Sequence, residues 1–196
     1  MVDEATITTN WHVPLSDGNR ILGECFDELK AFGLTQDDIP LIVKMVENPN
    51  YDYLPFVNIF SGRTDLDQHD YIHLVLGRGL MIKDEAFVLG FTAGSTNKVR
   101  TTEESLYAFF AKHVFPKEYQ FSDDDVHVYR DAVKLGFISD CEPLDKVDFV
   151  AMRHLTIDEV RKAIGLEADL LEAYYRIEKR RYPDAKECQR NARERG

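Results

Sequence analysis

Cysteine is scarce. Cys25, Cys141 and Cys188 lie far apart, with no CxxC pair among them. An odd, scattered set excludes a disulfide framework and argues against a thiolate zinc site, so buried, inert thiols are expected. Long hydrophobic runs are also missing: no apolar stretch approaches the roughly 20 residues that span a bilayer. The opening Met1-Val2-Asp3-Glu4 has neither the basic and apolar segments of a secretory signal nor the Arg-rich, acid-poor character of a transit peptide. A cytoplasmic location follows as the expectation. Positive charge is in deficit, with 24 Lys and Arg against 35 Asp and Glu and a net charge of -11. That balance argues against generic nucleic-acid binding, which relies on a basic patch. Internal repeats, low-complexity blocks and long linkers are absent.

What is present is helical periodicity. At 196 residues and 44% hydrophobic, the chain is long enough to bury a substantial core as one domain. Residues 1–15 lack a helical period and read as an extended lead-in, with Trp11 docking on the domain. Ser16 reads as the cap of a first helix, which carries Ile21, Leu22, Cys25, Phe26, Leu29 and Phe32 on one face and stops at Gly33. Asp37 or Asp38 would cap a second, with Pro40 in its first turn. Tyr51 to Phe60 reads as an extended segment. Further helices are expected over about 65–76, 85–97 and 102–114. Ser122 and the acidic run Asp123-Asp124-Asp125 open another, which Gly136 closes. A short helix is expected over 145–152. Thr156 to Glu159 forms a capping box for a helix that stops at Gly165, and a last helix runs over 167–181. Gly90 and Gly94, four apart, leave a flat face for close helix packing. The sum is one all-α, compact domain, 1–196, of about seven to nine helices: a core over 16–166 carrying the motif described next, then a C-terminal helix and a basic tail over 167–196.

The stretch that points to chemistry is Gln68-His69-Asp70-Tyr71-Ile72-His73, followed twelve residues later by Glu85. If Thr64-Asp65 caps the helix, His69, Asp70 and His73 fall within about 100° of arc at roughly 100° per residue. Gly77 and Gly79 end that helix, and Asp84-Glu85 opens an antiparallel return that brings Glu85 back over the three. Burying such groups among Ile72, Leu74, Val75 and Leu76 without a partner would cost several kcal/mol. Two imidazoles and two carboxylates make a mixed nitrogen and oxygen site suited to a divalent metal, zinc first, with iron or manganese as alternatives.

The pattern His-Asp-x-x-His, eleven intervening residues, then Glu resembles the motif of the coenzyme Q biosynthesis protein 4 family. Weaker likeness runs through Ala86–Phe91, Phe109–Pro116 and Leu155–Leu166, so that the resemblance spans about residues 18–166. Asp84 stands where that family usually has a glycine before the glutamate. The resemblance implies that His69, Asp70, His73 and Glu85 are the metal ligands and the catalytic residues. It implies action on, or binding of, a polyprenylated quinone precursor, including oxidative removal of the ring carboxyl group. It also implies a tail-binding tunnel lined by residues such as Phe87, Leu89, Phe91, Phe109 and Phe110. The expected partners are a prenyl lipid or quinone precursor, a peripheral membrane contact and a second copy in a homodimer, with no nucleic acid.

Two other readings compete. In one, the metal only staples the two motif helices of a non-enzymatic lipid-binding or scaffold protein. In the other, His69-Asp70 is the dyad of an HD-type phosphohydrolase, which would draw on His12 upstream and on Asp123, Asp124, Asp125 or Asp131 downstream. His113, His127 and His154 read as surface or supporting residues. Arg176 to Arg195 holds eight basic residues against four acidic, a segment suited to an anionic lipid surface or to the chain's own acidic face.

Overall fold

A computed structural model describes residues 11–31 and 60–190, apart from the Glu118 side chain. The helix expected after Asp37, the stop at Gly33 and most of the 51–60 segment lie outside the described residues. Eight α-helices form one all-helical arrangement, with no strand among the described residues beyond a single bridge between Ile21 and Thr156. They are α1 (Leu22–Lys30), α2 (Leu66–Leu76), α3 (Ile82–Ser95), α4 (Thr101–His113), α5 (Asp123–Ile138), α6 (Ile157–Ala163), α7 (Ala168–Arg181) and α8 (Lys186–Arg190). Among the described residues no helix is long and apolar enough to cross a membrane. All three cysteines are buried free thiols.

The most intimate pairing is α3 against α5. A Cβ on Gly90 would lie 2.3 Å from the Tyr129 carbonyl oxygen, and one on Gly94 would lie 2.1 Å from that of Val133. The flat face expected of these glycines is therefore used to bring two backbones together. Gly136 answers from α5, where a Cβ would lie 2.3 Å from the Phe91 carbonyl oxygen. For this reason α5 runs through Gly136 to Ile138 rather than closing at it. The glycine is a contact, not a stop.

The sequence places the other boundaries with mixed success. Asp65 caps α2 through the Gln68 amide, Ser122 caps α5 and Thr156 caps α6, each supplying an acceptor to orphan first-turn donors. Gly165 takes the left-handed conformation after α6. Ser16, by contrast, lies in a single 3-10 turn, Leu15–Asp17, and α1 begins only at Leu22 with Ile21 as its cap. Residues 145–152 form turns rather than a short helix. The polar segment after Pro183 folds back as α8, and its Arg190 pairs with buried Asp84. Trp11 packs against the core as expected.

The α2–α3 hairpin sits at the centre of the described residues. α2 buries Tyr71, Ile72, Leu74, Val75 and Leu76, so it is covered on nearly every side, as expected of a helix hydrophobic all round. It ends in a Schellman turn: Gly77 is left-handed at φ 69° and ψ 33°, its amide reaches Leu74 O, and the Arg78 amide reaches His73 O. Two carbonyls of the last turn are met by side chains from elsewhere. Arg161 Nε donates to Val75 O at 2.8 Å and Tyr175 Oη donates to Leu76 O at 2.6 Å. The turn that sets the angle of α3 is thus fixed by α6 and α7, not by the hairpin alone.

Candidate metal centre

On α2, His69 and His73 stand one turn apart, and α3 begins early enough, at Ile82, to put Glu85 in its first turn. The three side chains converge. His69 Nε2 lies 2.9 Å from Glu85 Oε2, His73 Nε2 lies 3.3 Å from Glu85 Oε1, and the two Nε2 atoms are 2.9 Å apart. Each residue offers a ligand atom within 4.8 Å of the others. The His73 side chain is fully buried, whereas those of His69 and Glu85 are 17% and 29% exposed. The cluster is closed on the His73 side and reachable past the other two.

Its electrostatics favour an ionised carboxylate. Burial pushes the Glu85 carboxyl up, but the charges and hydrogen bonds of His73 and His69 outweigh it and hold the group below the usual carboxylate range. With Glu85 ionised, no protonation pattern of the two rings satisfies all three contacts. An Nε2 carries either a proton or a lone pair. Both contacts to Glu85 call for a proton on the imidazole, and then N–H faces N–H across 2.9 Å. If His69 keeps a lone pair for His73, that lone pair faces the carboxylate instead. The other nitrogen of His73, Nδ1, is buried without a hydrogen-bond partner, so this ring acts through Nε2. A divalent cation meets two neutral nitrogens and one anionic oxygen at once. Donors about 2.0–2.2 Å from a tetrahedral ion lie about 3.3–3.5 Å from one another, so the observed edges need open by only a few tenths of an ångström.

Asp70, the fourth residue of the motif, is not brought into the cluster. Its carboxylate is 8% exposed as a residue and is bound by Lys30 Nζ at 2.9 Å, an ammonium carried in from the end of α1. Burial pushes the Asp70 carboxyl above its ordinary range, offset only in part by Lys30 and by the imidazoles of His69 and His73. Asp84 is fully buried beside Glu85 and is held by Arg190 and by Arg78 Nη1 at 3.7 Å.

The remaining sequence candidates are engaged elsewhere. Asp125 pairs with Lys83 at 2.6 Å, Asp123 with Lys112, and Asp131 with Arg181 at 2.7 Å. His113, His127 and His154 are exposed, and neither they nor His12 belongs to the cluster. Phe87 and Phe91 are fully buried and stack on each other, while Phe109 is 54% exposed. The cavity bordered by Leu89, Tyr107 and Tyr129 holds about 20 Å³, room for about one water.

Sequence reasoning missed Lys30, Arg78 and Arg190, the three cations that organise the acids of the hairpin. Arg78 is fully buried, with its guanidinium 3.9 Å from the Phe87 ring and 4.1 Å from the Tyr175 ring and its Nη2 2.7 Å from Glu178. Only its place between Gly77 and Gly79, in a turn at a helix end, marks it in the sequence.

Fold and cluster together describe an all-helical protein with a His/His/Glu cluster across a central hairpin. Comparison of the chain with protein-family models, with curated proteins and with solved structures gives no match.

Proposed function

We propose that this chain is a divalent-metal protein that holds zinc through His69, His73 and Glu85 and works on a polyprenylated benzenoid precursor of a quinone. The observation that carries the metal half is the three-way convergence, which protons cannot satisfy and a cation can. The substrate half rests on the motif's resemblance to the coenzyme Q biosynthesis protein 4 family. The bound ion would supply Lewis acidity. The chain's own groups do the rest: two imidazoles, deprotonated at Nε2 once the ion is bound, donate nitrogen, and the ionised Glu85 donates oxygen. The exposed edges of His69 and Glu85 give an oxygen-bearing ligand a way in. Three protein donors leave room for such a ligand, as catalytic zinc sites do and closed structural sites do not.

The phosphohydrolase reading has less support, because Asp70 of its dyad is bound to Lys30 and the downstream acids Asp123, Asp125 and Asp131 pair with other cations. The test is to load purified protein with zinc or, because zinc has no redox chemistry, with iron(II), and to incubate it with a polyprenylated 4-hydroxybenzoate, oxygen as the oxidant and ascorbate as the source of two further electrons, following the ring carboxyl by mass spectrometry. Carboxyl loss that disappears in Glu85→Gln supports the reading. An unchanged substrate, with no prenyl lipid retained in native mass spectra, removes the quinone assignment.

A further inference from the structure

Asp70 is one residue from His69 and three from His73, on the same face of α2, yet its carboxylate stands outside the cluster they form. The cause on the other side of it is Lys30. This ammonium is the last residue of α1, where the negative end of the helix dipole favours it. Its Nζ lies 5.4 Å from the centre of the Phe26 ring, which itself stacks on Tyr71 of α2 at 4.0 Å. From there it spans two acids of α2, Asp67 at 2.6 Å and Asp70 at 2.9 Å. The two acids differ. The Asp67 side chain is 69% exposed and water can solvate it, whereas that of Asp70 is 11% exposed and has Lys30 as its bound partner.

We propose that Lys30 sets the number of protein ligands at the metal centre: by holding Asp70 it keeps that carboxylate out of the donor set, so that an ion held by His69, His73 and Glu85 retains an open position. The role rests on the metal reading above and extends it. Without its ammonium, the Asp70 carboxylate, one residue from His69 and three from His73 on α2, can turn toward an ion held at the two histidines. Removing Lys30 therefore converts a three-ligand, open site into a four-ligand, closed one. It also removes a positive charge that opposes metal entry.

The experiment is a cobalt(II) titration of the full chain followed by visible absorption, with azide added to report an exchangeable position. Wild type is expected to bind one cobalt and to shift its spectrum on azide addition. Lys30→Met is expected to bind cobalt about tenfold more tightly, the scale of effects from groups that hold ligands, and to lose the azide response. Asp70→Asn alone leaves Lys30 with only Asp67 as partner, so affinity should fall, by less than about tenfold, with the azide shift intact, and Lys30→Met/Asp70→Asn should restore both wild-type affinity and the azide shift. Lys30→Gln provides a second variant if Lys30→Met does not fold. A Lys30 variant with unchanged affinity and an intact azide response overturns the role of Lys30 while leaving the metal reading standing. So does a more than tenfold loss in Asp70→Asn alone, since Asp70 would then already be a ligand. Wild type that binds no cobalt, or binds it equally well as His73→Ala, overturns the metal reading and the role of Lys30 with it.

Discussion

The α2–α3 hairpin carries two polar clusters. At its turn, Arg78 lies between Phe87 and Tyr175 and meets Glu178 and Asp84, and Arg190 closes on Asp84 from α8. Two cations there face two acids and opposite charges balance, with the side chains of Arg78, Asp84 and Glu178 fully buried and that of Arg190 15% exposed. Along the facing sides of the helices, His69, His73 and Glu85 bring ligand atoms within 4.8 Å of one another. The first cluster balances its charge within the protein. The second has a surplus of donors and a geometry that protons cannot serve. The difference separates a group of charges that holds a turn in place from one that is built to receive something. It also shows how the first supports the second, because the angle at which α3 presents Glu85 is set at the turn.

That comparison can be broken most forcefully at Arg78. Arg78→Met strands Glu178 as a buried acid and leaves Asp84 to Arg190 alone, and loss of one partner of such a pair costs about 3–5 kcal/mol. Urea denaturation should show that loss with or without zinc; a change under 1 kcal/mol would mean that the turn cluster does not hold the fold. The second cut is at the histidines. Zinc at a hundred times its dissociation constant should stabilise wild type by about 2.7 kcal/mol, and thermal melting of His73→Ala should show no zinc-dependent shift at all.

Acid sharpens the contrast further. Histidine and glutamate ligands must be deprotonated to bind, so a zinc-sensitive dye should record release of the ion as pH falls, before the fold is lost. In the zinc-free protein, Glu85 has its folded-state value depressed from the ordinary 4.5 by the two imidazoles. A depressed carboxylate contributes stability that is fully present above that ordinary value and is lost as pH falls toward the folded one. Glu85→Gln should therefore flatten the acid side of the stability curve, as read by urea midpoints from pH 5 downward. The smallest effect is expected at Asp65. Asp65→Ala removes the cap that accepts the Gln68 amide and should lower stability by about 1 kcal/mol while leaving metal stoichiometry unchanged.

How much of this could be read from the chain follows from how far each cause reaches. Caps and helix faces act over three or four residues, so Asp65, Ser122 and Thr156 mark their helix starts in the sequence itself. The His69, His73 and Glu85 spacing is legible for the same reason, since one helix and one short turn bring them together. Gly136 and Gly165 look alike in sequence, but one permits the contact with α3 and the other takes a left-handed turn; only the packed partner tells them apart. Lys30 is forty residues from Asp70, and Arg190 is more than a hundred from Asp84. No local pattern announces such pairs. For that reason Asp70 reads as a fourth ligand in the sequence and is bound to an ammonium in the fold, and the basic tail reads as suited to a lipid surface or to the chain's own acidic face, of which the Arg190–Asp84 pair fits the second. Of the other basic groups there, Arg176 pairs with Glu172 on its own helix and Arg181 with Asp131 of α5, both partly exposed.

The central claim is that three side chains on one hairpin form a cation site. Elemental analysis of protein incubated with zinc and then exhaustively dialysed tests it most directly, with His73→Ala and Glu85→Gln treated alongside. The account predicts one zinc per chain in wild type and close to none in either variant. A folded wild-type protein that retains no zinc, or variants that retain as much as wild type does, would contradict it.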